Sequence, residues 1–210
     1  MSADHQEHPV HAHPRQPDIE DQPFEYYQIM AEAIGELLIE KQVFSAAELR
    51  QTIESIDARS PADGARVVAR AWLDQDFKER LLDNANEAAG ELGIDSGAIP
   101  IRVVENTAGV HNVICCTLCS CYPRLLLGLP PDWYKARAFR SRIVREPRKV
   151  LREFGTIIPD EVELRVHDST ADLRYMVLPE RPSGTDELSE AELSALVTRD
   201  CMIGTALPKA

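Results

Sequence analysis

VHNVICCTLCSC, Val110 to Cys121, is the stretch on which the reading of the whole chain turns. Its first half, Val110–Cys115, is apolar and β-branched, as a strand is. Its second half sets Cys116, Cys119 and Cys121 at the first, fourth and sixth of six positions, with only Thr117, Leu118 and Ser120 between them. Three thiols so close at a strand end are not ordinary core residues. Zinc would ask for four tetrahedral ligands, and no second Cys-x-x-Cys pair exists to complete the set. Cys115 precedes Cys116 on the strand and should point to the opposite face. An iron–sulfur cluster also wants four cysteines. The plain alternative is three free or oxidised thiols in a loop.

A different donor set fits better. The sulfur and the amide nitrogen of Cys121 close a small chelate ring, the amide of Ser120 is adjacent, and the sulfur of Cys119 is within reach. Cys116, three residues back, caps the ion from below. Three sulfurs and two deprotonated amide nitrogens leave a sixth position open. Such strongly donating anionic ligands suit a small trivalent transition ion better than zinc, calcium or magnesium. The open position is what a catalytic metal needs. Serine between the last two cysteines is small enough to let the turn close.

Working outward, Ile99–Asn106 reads as a second strand before the quoted one. Helical signals follow it at LPPDWYKARAF, near Pro131, and at EPRKVLREFG, which ends at Gly155. VELRVHD and RYMVLP are strand-like, Ser189-Glu190-Ala191-Glu192 is a capping box opening a helix through Thr198, and CMIGTAL is read as a last strand. Upstream, the pattern is helical over Phe24–Lys41, after the capping box Ser45–Glu48, and from Ser60-Pro61, where the apolar stripe is Val67, Val68, Ala71 and Trp72. One further helix is expected to carry Phe77, Leu81, Ala85, Ala88 and Leu92 and to stop at Gly93. The expected architecture is α+β: a helical part over residues 23–93, too thin to cover its own stripes and so packed on a partner, followed by a mixed α/β layered metal-binding domain over residues 94–210. Residues 1–22 read as a disordered tail carrying His5, His8, His11 and His13, either solubilising or loosely metal-scavenging.

The net charge of −12 argues against nucleic acid and anionic membranes as partners. The amino terminus lacks an apolar run after a basic start, and no apolar stretch reaches about 18 residues. Cytoplasmic localisation is the expectation, and there five cysteines serve metal or redox chemistry before disulfides.

VICCTLCSCYPRLLLGLPPDWYK closely resembles the metal-claw segment of the nitrile hydratase α subunit, with the pattern Val-Cys-(Thr or Ser)-Leu-Cys-Ser-Cys. The resemblance extends through VENTAGVHN, RSRIVREPRKVLREFG, RYMVLPERPSGT and LVTRDCMIG, and spans roughly residues 60–207. It implies a metal held by Cys116, Cys119 and Cys121 with the amides of Ser120 and Cys121. It implies one Co(III) per chain, Fe(III) being the second choice, because Thr117 rather than Ser follows the first cysteine. It implies Cys119 as a sulfinic acid and Cys121 as a sulfenic acid, early rungs of the thiol oxidation ladder. Cys119, Ser120 and Cys121 are thereby the catalytic residues. The implied partners are a β subunit, in one chain or split in two, which supplies two arginines to the oxidised oxygens, and a cobalt-insertion activator protein. The implied reaction hydrates a small-molecule nitrile to its amide.

Two departures from that pattern bear on the substrate. SGAIP, Ser96–Pro100, stands where the family carries Gln-Gly-Glu, and a glutamine lining the nitrile pocket is lost. Tyr122-Pro123-Arg124-Leu125 stands where nitrile hydratases read Tyr-Pro-Trp-Pro. Tyr122 and Arg124 are thus the candidate substrate-pocket residues. Arginine at this place resembles the paralogous thiocyanate hydrolase γ subunit, the second reading, in which Arg124 meets an anion. For the expected neutral nitrile, Arg124 turns outward or pairs with a carboxylate of the partner. A third reading is a cobalt-binding protein without turnover. Cys115, Cys201, His111 and His167 are expected to be structural.

Overall fold

The structure is a computed structural model that describes residues 26–209; the His-rich tail lies outside the described residues. Four strands organise it: β1 (Ile101–Glu105), β2 (Val110–Cys115), β3 (Glu163–Asp168) and β4 (Arg174–Leu178). They form two parallel pairs, β1 with β4 and β2 with β3. Parallel neighbours need long crossovers, and here the chain between β2 and β3 is four short helices: α6 (Arg124–Leu127), α7 (Asp132–Lys135), α8 (Arg137–Ile143) and α9 (Pro147–Glu153). The register sets Cys115 opposite Asp168, so β3 ends beside the point where the cysteine segment begins.

The helices before the strands are α1 (Tyr26–Glu40), α2 (Ala46–Asp57), α3 (Ala62–Leu73), α4 (Gln75–Asp83) and α5 (Ala85–Glu91). The single helix expected from Phe77 to Gly93 is two. Asn84 interrupts it with extended backbone, and its side chain accepts from the Glu87 N–H to start α5. The expected boundary at residue 93 is also moved by packing. Val67 and Val68 of α3, Phe77 and Leu81 of α4 and Ala88 of α5 are buried in one apolar cluster with Val113 and Ile114 of β2 and Met176 and Val177 of β4. The stripes of α3, α4 and α5 are covered within this chain. The described chain divides instead into a unit ending at Phe44 and a unit beginning at Ser45. Neither α1 nor α2 buries a residue.

The carboxyl-terminal expectation also changes. After α10 (Glu190–Ala195), CMIGTAL is not a strand; its first residues lie in α11 (Arg199–Ile203). Thr198 caps that helix, its hydroxyl accepting from the Cys201 N–H, and Gly204 at φ 92° ends it. Gly204 is required as well as permitted: a Cβ there would overlap the carbonyl of Asn112 in β2. LPPDWYKARAF likewise divides into α7 and α8, because Ala136 is extended.

A buried polar chain ties β2 to its neighbours. The Asn106 amide group donates to Nδ1 of His111 at 3.2 Å, and His111 Nε2 donates to the Gly204 carbonyl at 2.8 Å. Asn112 donates to Glu105 O and Asn106 Oδ1 and accepts from Nε2 of His167 at 2.8 Å. Each ring thus carries a proton on Nε2, held by the Gly204 carbonyl for His111 and by Asn112 Oδ1 for His167. Burial pushes both pKa values below the ordinary histidine value.

Candidate metal centre

Where β2 ends, the backbone leaves the sheet and curls so that Cys116, Cys119 and Cys121 converge. Their sulfurs all lie within 4.8 Å of one another, 3.5 Å from Cys116 to Cys119 and 3.2 Å from Cys119 to Cys121. Sulfurs about 2.3 Å from a common ion stand roughly 3.3 Å apart at right angles and roughly 3.8 Å apart at tetrahedral angles. The observed spacings therefore admit one ion. The amides of Ser120 and Cys121 point toward the Cys119 sulfur, and the Cys119 N–H donates to the Cys116 sulfur at 3.3 Å. The three sulfurs expected to share an ion are brought together.

The three sulfurs differ in access. Cys116 is buried, Cys121 half-buried and Cys119 exposed. The Cys121 thiol donates toward Cys119 and, with the Ser120 and Cys121 amides, holds the Cys119 pKa below the ordinary thiol value. Burial and the same contact push Cys121 up to about 12. Cys115 is fully buried on β2, and burial raises it to about 12. It stays a neutral thiol, outside the cluster. Cys201 is buried in α11.

Groups that the sequence reading did not single out hold the claw. Asp168, at the end of β3, accepts from the Thr117 N–H at 2.8 Å and from its hydroxyl at 2.5 Å. The Ser169 N–H donates to Cys115 O. Arg140 is buried and donates to the carbonyls of Lys135 and Thr117, while the Tyr134 hydroxyl donates to Cys121 O at 3.0 Å. The only hint of Asp168 in the sequence was its place at a strand end; pairing with β2 gives it meaning. Leu118, between the first two cysteines, is 88% exposed.

Beside the claw lies a cavity of about 330 Å³. Tyr122, Arg124 and Leu125 line one side; Ser96 to Ile99 and Arg174 line the rest. Both departures from the family pattern thus meet at one cavity, although they are far apart in sequence. Arg174 is close enough for its charge to act on the Cys121 thiol. Tyr122 is buried, and its hydroxyl finds no partner; its nearest charged neighbours are Arg199 and Asp200 of α11. A larger cleft lies between Glu146–Lys149 and Asp160–Leu164 and includes no residue of the claw or its neighbours.

An α+β fold that ends a strand in three converging cysteine sulfurs offers a candidate metal site. The family model described as nitrile hydratase, alpha chain, matches residues 25–206. The chain belongs to that family. It is 53% identical over 149 residues to the low-molecular weight cobalt-containing nitrile hydratase subunit alpha of Rhodococcus rhodochrous, covering 70% of this chain and 72% of the relative. Among solved structures it is similar to a recombinant thiocyanate hydrolase with partially modified cobalt centres, with a TM-score of 0.82 and 41% identity over 88% of this chain and 91% of that one. It is also similar to a double mutant of the Fe-type nitrile hydratase from Comamonas testosteroni Ni1, with a TM-score of 0.79 and 40% identity over 88% and 91%. Among the described residues, no helix is long and apolar enough to cross a membrane.

Proposed function

We propose that the chain is the metal-bearing catalytic subunit of a cobalt nitrile hydratase, adding water across a C≡N bond to give an amide. The observation that carries this reading is the convergence of the Cys116, Cys119 and Cys121 sulfurs, with the Ser120 and Cys121 amides turned toward the middle one. The sulfurs of those cysteines and the amide nitrogens of Ser120 and Cys121 would hold the ion, one per chain. Cobalt rather than iron is supported by Thr117 and by the cobalt-containing relative. Bound there, a trivalent ion supplies Lewis acidity toward the nitrile or the attacking oxygen.

The protein's own part is to shape and protect that position. Asp168, Arg140 and Tyr134 fix the backbone of Thr117 and Cys121, so the ligands are placed in advance of the ion. The gradation of access supports Cys119 as sulfinic acid and Cys121 as sulfenic acid, with buried Cys116 left as a thiolate. Tyr122 and Arg124 line the substrate cavity. A β subunit is the expected cover for exposed Leu118, and for α1, whose Tyr26, Tyr27 and Ile29 are all more than half exposed. Loading by a cobalt-insertion activator protein and a cytoplasmic location complete the reading.

Thiocyanate hydrolysis is the second reading, favoured by Arg124 at the cavity and by the thiocyanate hydrolase structure. The deciding experiment expresses the chain with its β partner in cobalt medium and follows products from a panel of nitriles and from thiocyanate. Amide from nitriles supports the first reading. Consumption of thiocyanate alone moves the chain to the second, and bound cobalt with neither reaction leaves a metal-binding protein.

A further inference from the structure

The cavity beside Cys121 has an uneven electrostatic lining. Two guanidinium groups, Arg124 and Arg174, face it, and no carboxylate does. Neither arginine forms an ion pair among the described residues, although ten other ion pairs are formed there. The Nη1 of Arg174 is buried without any hydrogen-bond partner. A buried guanidinium hydrogen left unmade is costly, and a chain this acidic had many carboxylates with which to satisfy it. Most of the remaining lining is apolar, with Ile56, Ile99, Ile101 and Leu125 among it. At about 330 Å³ the cavity has the size of sites for small organic ligands rather than for a triatomic ion.

We propose that this cavity selects nitriles that carry a carboxylate on an apolar body, with Arg124 and Arg174 receiving the negative end while the body meets the lining isoleucines and Leu125. The proposal rests on the nitrile-hydrating reading above and names its substrate class. Arg124 is exposed, as the neutral-nitrile expectation has it, but it stays on the cavity and has no carboxylate from this chain to neutralise it. An unpaired cation beside a cavity attracts anionic ligands and disfavours apolar ones. Arg124 is a specificity residue in this scheme; no bond to the reacting carbon is asked of it.

The test compares cyanobutanoate with its methyl ester, two nitriles of the same body that differ in charge. The cobalt-loaded complex with its β partner should show kcat/KM for the carboxylate on the order of tenfold above that for the ester, as one charge-assisted contact provides. In Arg124→Gln the ratio should fall toward one, and Arg124→Lys should restore part of it. Raising salt should shrink the ratio in the wild type. A second readout is binding of cyanobutanoate to the cobalt-free complex by calorimetry, which should weaken about tenfold in Arg124→Gln. Ester turned over as well as carboxylate, or a ratio that survives Arg124→Gln, would overturn the proposal. So would thiocyanate processed in preference to both. If no nitrile is hydrated at all, the reading of the reaction fails, and charge-dependent binding to the cobalt-free complex then decides the cavity's selectivity alone.

Discussion

Asp168 grips Thr117 with both carboxylate oxygens, one on the backbone N–H at 2.8 Å and one on the hydroxyl at 2.5 Å. The contact joins the end of β3 to the residue after the first ligand, so the sheet sets where the claw begins. Asp168→Ala should loosen the turn and speed cobalt loss to a chelator by about tenfold, one or two hydrogen bonds to an exposed charged group being worth about 1–2 kcal/mol. Thr117→Val, which keeps the N–H, should lie between Asp168→Ala and the wild type. Equal chelator kinetics in all three would remove Asp168 from the positioning role.

The cysteines divide sharply. Cys116→Ala, Cys119→Ala and Cys121→Ala should each abolish cobalt retention and turnover. Cys115→Ala should keep both, at a stability cost of about 1 kcal/mol for a small buried side chain, because its sulfur lies outside the cluster. Elemental analysis of the four purified variants checks this.

Access to the sulfurs predicts their oxidation. Intact mass of the active chain should exceed the reduced value by about 48 Da, three oxygens divided between Cys119 and Cys121. Fragment spectra should find Cys116 unmodified. Oxygen on Cys116 would contradict the order of burial.

His111 and His167 give the fold a pH dependence. Each has a folded pKa below its unfolded value because burial disfavours the imidazolium. The unfolded chain therefore binds protons first as pH falls below about 6.5, and stability declines from there toward the lower folded values. Above that window the stability is fully present. Each unit of depression is worth about 1.4 kcal/mol. Denaturant midpoints measured across the window should fall with pH; a flat profile would show that these rings titrate freely.

Gly204→Ala should destabilise by about 3 kcal/mol or more, since it adds a Cβ against the Asn112 carbonyl at a left-handed φ. Gly35→Ala, in the exposed helix α1 with open space around it, should be neutral or stabilise by up to about 1 kcal/mol. Thermal denaturation of the two variants separates a required glycine from a dispensable one.

Local patterns made the strands and both capping boxes legible: the β-branched runs became β1 to β4, and Ser45–Glu48 and Ser189–Glu192 became reciprocal caps. CMIGTAL misled because its apolar run has a strand's composition, while the signals that decide for a helix, Thr198 before it and Gly204 inside it, weigh one residue each. Asn84 hid a helix break for the same reason. The cysteine spacing announced a metal centre because its donors are local. Asp168, Arg140 and Arg174 come from distant segments: the parallel pairing of β2 with β3 brings Asp168 beside Cys115, while Arg140 arrives on α8 and Arg174 at the start of β4. The meeting of Ser96–Ile99 with Arg124 at one cavity is likewise a property of the fold.

Cobalt-edge X-ray absorption on the purified complex with the β partner tests the central claim most directly. The account predicts a low-spin trivalent edge and a first shell of about three sulfurs with light nitrogen or oxygen donors, lost together in Cys119→Ala. A shell of nitrogen and oxygen alone, or full activity with zinc or iron and no cobalt edge, would contradict it.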